Sequence, residues 1–156
     1  MPVAVSNLQR RSRISPRRLG AVARRALAAL GRADREVHVT VVDDRRIRAL
    51  NARYLGHRRA TDVLAFDLAG PGRLWGEVIV SAETAARQAR QLRVSLAVEL
   101  DLLVVHGLLH LAGYDDHDPR RARRMHERAR EILAGPPRSR SPRAVPARLW
   151  AGLLEA

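Results

Sequence analysis

Hydrophobic and polar positions alternate along the chain with two different periods. VAVSNL, from residue 3, alternates apolar and polar residues and predicts a strand. Ser15 and Pro16 then make a helix start, with Ser as N-cap and Pro at the first helical position. PRRLGAVARRALAALG keeps apolar residues at helical spacing as far as Gly31. EVHVTVV is a β-branched strand, and Asp43 or Asp44 can cap a helix through RRIRALNARYL. TDVLAFDL and WGEVIVSA are two further strands joined by AGPGRL, which has the Gly and Pro to turn the chain. Ser81 caps AETAARQARQL, and Ser95 caps LAVELDLLVVHGLLHLAG, whose near-continuous hydrophobicity predicts a helix buried on most sides. Asp118 and Pro119 open a last amphipathic helix to about Leu133.

These elements predict an α+β fold in a single domain: a mixed sheet of about four strands packed by helices, with a central buried helix. The domain is expected to span residues 1–134. Residues 135–156 begin GPPRSRSPRAVP, which has no periodicity and is expected to be a disordered Pro/Arg-rich tail, with ARLWAGLLEA able to form a short terminal helix. A length of 156 residues with 46% hydrophobic positions can bury one core of ordinary size. Aromatics make up only 3%, so that core must be built from Leu, Val, Ile and Ala.

Charge adds a second theme. The net charge is +13, and all 29 basic residues are Arg. Residues 1–35 hold nine Arg against Asp34, and residues 119–148 hold ten against Glu127 and Glu131, whereas residues 36–118 have ten Arg against twelve acids. Such basic ends attract a polyanion, RNA or DNA, by counterion release and long-range steering; an Arg-rich, Ala-rich composition also follows from genomic nucleotide bias. Cysteine is absent, which excludes disulfides and thiolate metal sites. No apolar run approaches the roughly 20 residues that span a bilayer, and the N-terminus lacks a secretory pattern, so no membrane association and a cytoplasmic location are expected.

The candidate chemistry lies in VVHGLLHLAGYDDHDP, residues 104–119, which hold three of the six histidines. His106 and His110 are four residues apart on the predicted buried helix, which brings both imidazoles to one face. That is the spacing by which a helix gives two ligands to one zinc ion. Gly113 ends the helix, and the turn YDDHD can return a third ligand, either His117 or a carboxylate of Asp115 or Asp116. Three protein ligands leave a position open, as in catalytic zinc sites. Two buried, hydrogen-bonded imidazoles without metal are the bland reading, but neutral imidazoles in an apolar helix are costly without partners. Gly107 stands where zinc peptidases of the H-E-x-x-H type carry their general base. Peptidase activity is therefore disfavoured, and the glycine is expected to leave space for a bulky substrate near the metal.

HGLLHLAGYDDH resembles the signature of the YbeY-type endoribonucleases, H-G-x-L-H-L-x-G-Y-D-H. LNARYLGHRRATDVLAFDL is similar to the family's L-N-x-x-Y-R-x-K-D-x-P-T-D-V-L-S-F-P segment, and WGEVIVSAETAARQA to its G-D-I-x-I-s strand and following helix. The resemblance covers residues 1 to about 134. It implies a zinc-dependent endoribonuclease, one zinc per chain, cutting single-stranded RNA in 16S rRNA 3′-end maturation and ribosome quality control, with the ribosome or its small subunit as partner. It carries His106 and His110 over as ligands. The family's third histidine falls at Asp116 here, with His117 one residue later. His117 is the expected third ligand, since imidazole is the family's donor and a loop can absorb one residue; Asp116 is the alternative. The family's substrate-contacting Arg is replaced by Leu55, so Arg58 and Arg59 are the candidate cations for phosphoryl charge, with Asp115, Asp116 or Asp118 as candidate base. His57, Arg120, Arg121 and Arg124 are candidate RNA contacts. Asp62 is expected to line the site or to accept a local hydrogen bond. His38 is expected on the solvated face of its strand, and His126 at the surface of its Arg-rich helix or approaching the site. A ribosome-associated assembly or binding factor with a structural zinc and little catalysis is the alternative function.

Overall fold

A computed structural model describes residues 3–55, 62–68 and 74–135. Its elements in chain order are β1 (Val3–Asn7), α1 (Pro16–Ala29), β2 (Glu36–Val42), α2 (Asp44–Leu55), β3 (Val63–Asp67), β4 (Leu74–Ser81), α3 (Ala82–Leu92), α4 (Leu96–Leu111) and α5 (Pro119–Ala134). The α+β class, the mixed four-strand sheet and the buried central helix agree with the expectation from pattern.

Sheet order is β1-β2-β4-β3, with β1–β2 and β2–β4 parallel and β3–β4 antiparallel. Because side chains alternate across a strand, Val37, Val39, Val41, Val78 and Val80 face one side and form a core with α1, α4 and α5. Val42, Leu64 and Ile79 face the other, where Ile47 of α2 covers them. The caps follow the sequence signals: Ser15, Ser81, Ser95 and Asp118 each accept a hydrogen bond from a backbone N–H of the first turn that follows.

Two clusters of polar bonds fix how the layers meet. Asp44 accepts from the hydroxyls of Ser81 and Thr84, both at 2.6 Å, and from Arg87 at 2.7 Å, tying the start of α2 to that of α3. Burial alone would raise the Asp44 carboxyl, but these three donors together outweigh it and hold the group below its ordinary range. At the other end, α1 and α5 cap each other's C-termini. Arg25 donates to the carbonyls of Ile132 and Leu133 at 3.1 and 3.2 Å, and Arg128 donates to the carbonyl of Ala29. Cationic side chains there complement the unpaired carbonyls and the helix dipole. Part of the basic charge is thus structural.

Helix α4 is the centre of the fold, buried from Glu99 to Leu109 without a break. It lies so close to β3 and β4 that a Cβ at Gly107 would come within 2.6 Å of Val78 Cγ1 and 3.2 Å of Val63 Cγ2. Gly107 therefore faces the sheet. The expectation that it opens space beside the metal is corrected: the space left by its missing side chain is taken up by Val78 of β4 and Val63 of β3. No single helix among the described residues is long and apolar enough to cross a membrane.

Two outcomes test this packing. Gly107→Ala gains helix propensity of up to about 1 kcal/mol yet should lower stability by about 1–3 kcal/mol from overpacking, read as a fall in the urea midpoint; adding Val78→Ala should recover part of it. Glu99 is 2% exposed, and burial, with Asp62 adding to it, pushes its carboxyl from 4.5 up to about 7. The folded state then holds a proton that the unfolded chain releases. Stability is full below about 4.5 and falls as pH rises towards about 7. Glu99→Gln should remove that slope, so thermal melts at pH 5 and pH 8 should differ less than in the parent chain.

Candidate metal centre

His106 and His110 project from one flank of α4, one turn apart. Their Nε2 atoms are 2.9 Å apart, and the rings meet edge to face at 82° with centroids 4.5 Å apart. His106 is 5% exposed and His110 is half-buried. Burial, then the neighbouring His110, then His126, push the His106 imidazolium down to about 3, so the ring stays neutral and keeps a lone pair.

The tautomer of His110 is fixed by the end of its own helix. Gly113 adopts φ +98 and lets the chain reverse, with Gly113 N–H donating to the His110 carbonyl and Tyr114 N–H to the Leu109 carbonyl, both at 3.0 Å. This pairing is the Schellman arrangement, which satisfies the last carbonyls of the helix. It also brings the Tyr114 carbonyl to 3.1 Å from His110 Nδ1. A carbonyl can only accept, so Nδ1 carries the proton and the Nε2 lone pair points at His106.

The reversed chain then supplies a third donor. Atoms of His106, His110 and Asp116 all lie within 4.8 Å of one another. His117 is exposed and stands outside that group, with its N–H donating to Asp115 Oδ1 at 3.2 Å. Asp118 directs the outcome: it caps α5 through Arg121 N–H at 2.8 Å, fixing where the helix begins and which residues precede it. Of the two candidates for the third ligand, the geometry favours Asp116. Two imidazoles and a carboxylate are a donor set that suits zinc and related divalent metals. Zn–N bonds of about 2.0–2.1 Å at tetrahedral angles put two nitrogens roughly 3.3 Å apart, so only a small opening of the pair would admit the ion.

Beside the donors is a cavity of about 540 Å³ lined by Ala112, Gly113, Tyr114, Asp115, Arg121 and Arg124. Asp115 Oδ2 is paired with Arg121 at 3.3 Å, and Arg121 also pairs with Asp118 at 3.3 Å. Asp115 is thus held as a turn residue. Arg120, Arg121 and Arg124 all lie on the exposed face of α5. Asp62 is buried, 3.3 Å from the Gln88 amide that donates to it, while its backbone carbonyl accepts from Ser81 N–H. His57, Arg58 and Arg59 lie outside the described residues, as does the tail from 136 onwards. His38 is exposed, as expected. His126 is not: it is 8% exposed, on the face of α5 that packs on the core, and its charge is felt at His106. The apolar stripe Ala122, Met125, Ala129 and Ile132 passes beside it, and that spacing was the available signal.

The family model described as Endoribonuclease YbeY matches residues 4–135. An Endoribonuclease YbeY from Anaeromyxobacter sp. (strain Fw109-5) is 50% identical over 135 residues, covering 85% of this chain and 70% of that protein. One from Geobacter metallireducens is 43% identical over 143 residues, covering 86% of this chain and 95% of that protein. A solution structure of a Thermotoga maritima protein superposes with a TM-score of 0.58 at 24% identity, covering 88% of this chain and 99% of the other, which supports the fold alone. With a match across nearly the whole described region and two relatives well above 30% identity, the chain belongs to the Endoribonuclease YbeY family.

Proposed function

We propose that this protein is a zinc-dependent endoribonuclease that cleaves single-stranded RNA. In this reading it takes one zinc per chain, held by His106, His110 and Asp116, and acts in the cytoplasm on ribosomal RNA. Its task is 16S rRNA 3′-end maturation and ribosome quality control in association with the small ribosomal subunit. The observation that carries the reading is the convergence of two imidazoles and a carboxylate beside an arginine-lined cavity, in a chain of net charge +13.

When bound, the metal supplies Lewis acidity at a phosphoryl group and lowers the pKa of water there. The chain's own residues do the rest. His110 is held by Tyr114, so its lone pair needs no reorientation on binding. Arg124, on the rim of the cavity, offers a donor fork to the RNA backbone. Arg121 must release Asp115 and Asp118 before it can do the same. Arg58 and Arg59 are assigned the charge that builds up on the phosphoryl oxygens, in place of the Arg that Leu55 replaces. Asp115 is the candidate base and must leave Arg121, to which it is paired at 3.3 Å, before it can take a proton.

Metal analysis and cleavage of a labelled single-stranded RNA test the reading together. The parent chain should carry about one zinc and cut RNA. His110→Ala should lose both, Asp116→Ala should lose most of its metal, and His117→Ala should keep it. Zinc without cleavage under any condition would instead favour the assembly-factor alternative; no metal at all would make the histidines core residues. A separate measurement addresses the cavity: Arg124→Ala should weaken RNA binding for all sequences alike and reduce the slope of log K against log salt by up to about 1.

A further inference from the structure

The side of the sheet away from α4 is only partly covered. Thr40 and Val42 of β2, Leu64 and Phe66 of β3 and Glu77 and Ile79 of β4 alternate towards it, and Ile47 of α2 closes over Val42, Leu64 and Ile79. Beside α2 this leaves a groove of about 640 Å³, floored by Thr40, Phe66, Glu77 and Ile79. Leu8 and Leu68, the exposed large hydrophobic residues among the described residues at 51% and 45%, both line it. Two exposed leucines on one apolar cavity mark a docking surface, which single leucines scattered over a solvated face do not.

The chain carries a segment suited to that surface. Residues 146–156, PARLWAGLLEA, lie outside the described residues. On helical spacing Leu149, Trp150, Leu153 and Leu154 share one side, within about 140° of arc, and Arg148 and Glu155 share the other. So short a helix is marginal in water by itself and needs a tertiary contact to form. The groove is also within reach. Helix α5 ends beside the C-terminus of α1, where Arg25 meets the carbonyls of Ile132 and Leu133. In turn α1 lies on the edge strand β1, and Leu8 follows the end of that strand. The path crosses one helix layer and follows the 5 residues of β1, about 10 Å and about 17 Å in turn. Residues 136–145 extend to about 33 Å.

Charge selects the kind of occupant. Thr40 donates to the Glu77 carboxylate at 3.0 Å in the floor of the groove, and a carboxylate there repels a phosphate backbone. Arg46 and Arg53, exposed on the α2 wall, complement an acidic residue such as Glu155. We propose that residues 146–156 dock as a helix in the groove between α2 and the sheet, with Leu149, Trp150, Leu153 and Leu154 covering Leu8, Phe66 and Leu68. This is the helix-in-groove mode of peptide recognition, made intramolecular by a linker that raises the local concentration of the segment. The surface is separate from the metal centre and does not depend on it.

Because the chain has no cysteine, an engineered pair reports the contact directly. In the full chain, Leu68→Cys combined with Leu153→Cys and oxidised with glutathione disulfide should cross-link internally in most molecules. Leu68→Cys with Arg148→Cys, from the opposite side of the segment, should do so several-fold less. Trp150 is a second reporter, since Trp75→Phe leaves it as the one tryptophan. Its emission should lie to the blue of that of the free peptide 145–156, and Leu8→Arg should shift it to the peptide's value. Disulfide-linked dimers in place of the internal link would show that the groove takes a second copy's segment and would overturn the proposal. Absence of both signals overturns it as well. So does an RNA oligomer that shields the thiol of the Leu68→Cys variant from alkylation while the segment stays unlinked, which would assign the groove to nucleic acid. If Trp75→Phe does not fold, the cross-linking comparison decides alone.

Discussion

Helix α4 lies on β3 and β4 at a distance that leaves no room for a methyl group at Gly107, and the position of both imidazoles follows from that contact. A helix turns about 100° per residue, so seating Gly107 against Val78 puts His106 about 100° and His110 about 60° round the axis from that contact, both on one flank of the helix. Gly76 allows the same closeness at the other end of the contact, since a Cβ there would meet the Phe66 carbonyl at 2.6 Å and Leu111 at 2.8 Å. With the helix locked against two strands, the separation of the two Nε2 atoms depends only on side-chain torsions. Of these, His110 is further restrained by Tyr114. A rigid element under the ligands is what a metal site of fixed geometry requires.

The same helix carries polar groups that a purely structural core would not contain. Glu99, Asp101 and His106 are all buried on it, in an element otherwise made mostly of Leu and Val. Each withdraws from water a group that prefers it, and each is met differently. Arg18 of α1 reaches Asp101 at 2.8 Å, so that charge is compensated by an ion pair. Glu99 answers burial by keeping its proton, with Oε2 lacking a hydrogen bond among the described residues. His106 remains neutral, and its ring keeps a lone pair that an ion can take up. The stability of α4 is therefore lower than its apolar content implies.

Much of this was legible in the sequence because the signals were local. Ser15, Ser81, Ser95 and Asp118 mark helix starts by chemistry acting within one turn, and the β-branched runs mark strands in the same way. The pairing of His106 with His110 follows from helix geometry alone. What the sequence left open depends on direction in three dimensions. Gly107 lies beside a ligand in the chain, but its role is set by Val78, twenty-nine positions away in sequence. The third donor hung on a single residue of a turn, where neighbouring side chains point apart and no periodicity decides between Asp116 and His117. His126 was hidden by composition, since the arginines around it gave α5 the look of a solvated helix while half of the apolar stripe beside it is alanine.

Arginine serves two ends in this molecule, and the two draw on different properties of the charge. Arg25 and Arg128 close helix termini, and Arg18, Arg87 and Arg121 compensate carboxylates; these tasks need a guanidinium at a fixed place and are short-ranged. Attraction of a polyanion depends on the net charge seen from beyond about 8 Å, the screening length at physiological salt. Pairing an arginine with a carboxylate does not alter that sum, so the +13 remains available for encounter whatever the local bonds. Recognition at contact is another matter, because a guanidinium already engaged must exchange partners before it can grip a phosphate. Arg121 is engaged twice over, and Arg124, one helical turn along on the same cavity wall, is the better placed of the two to make that contact.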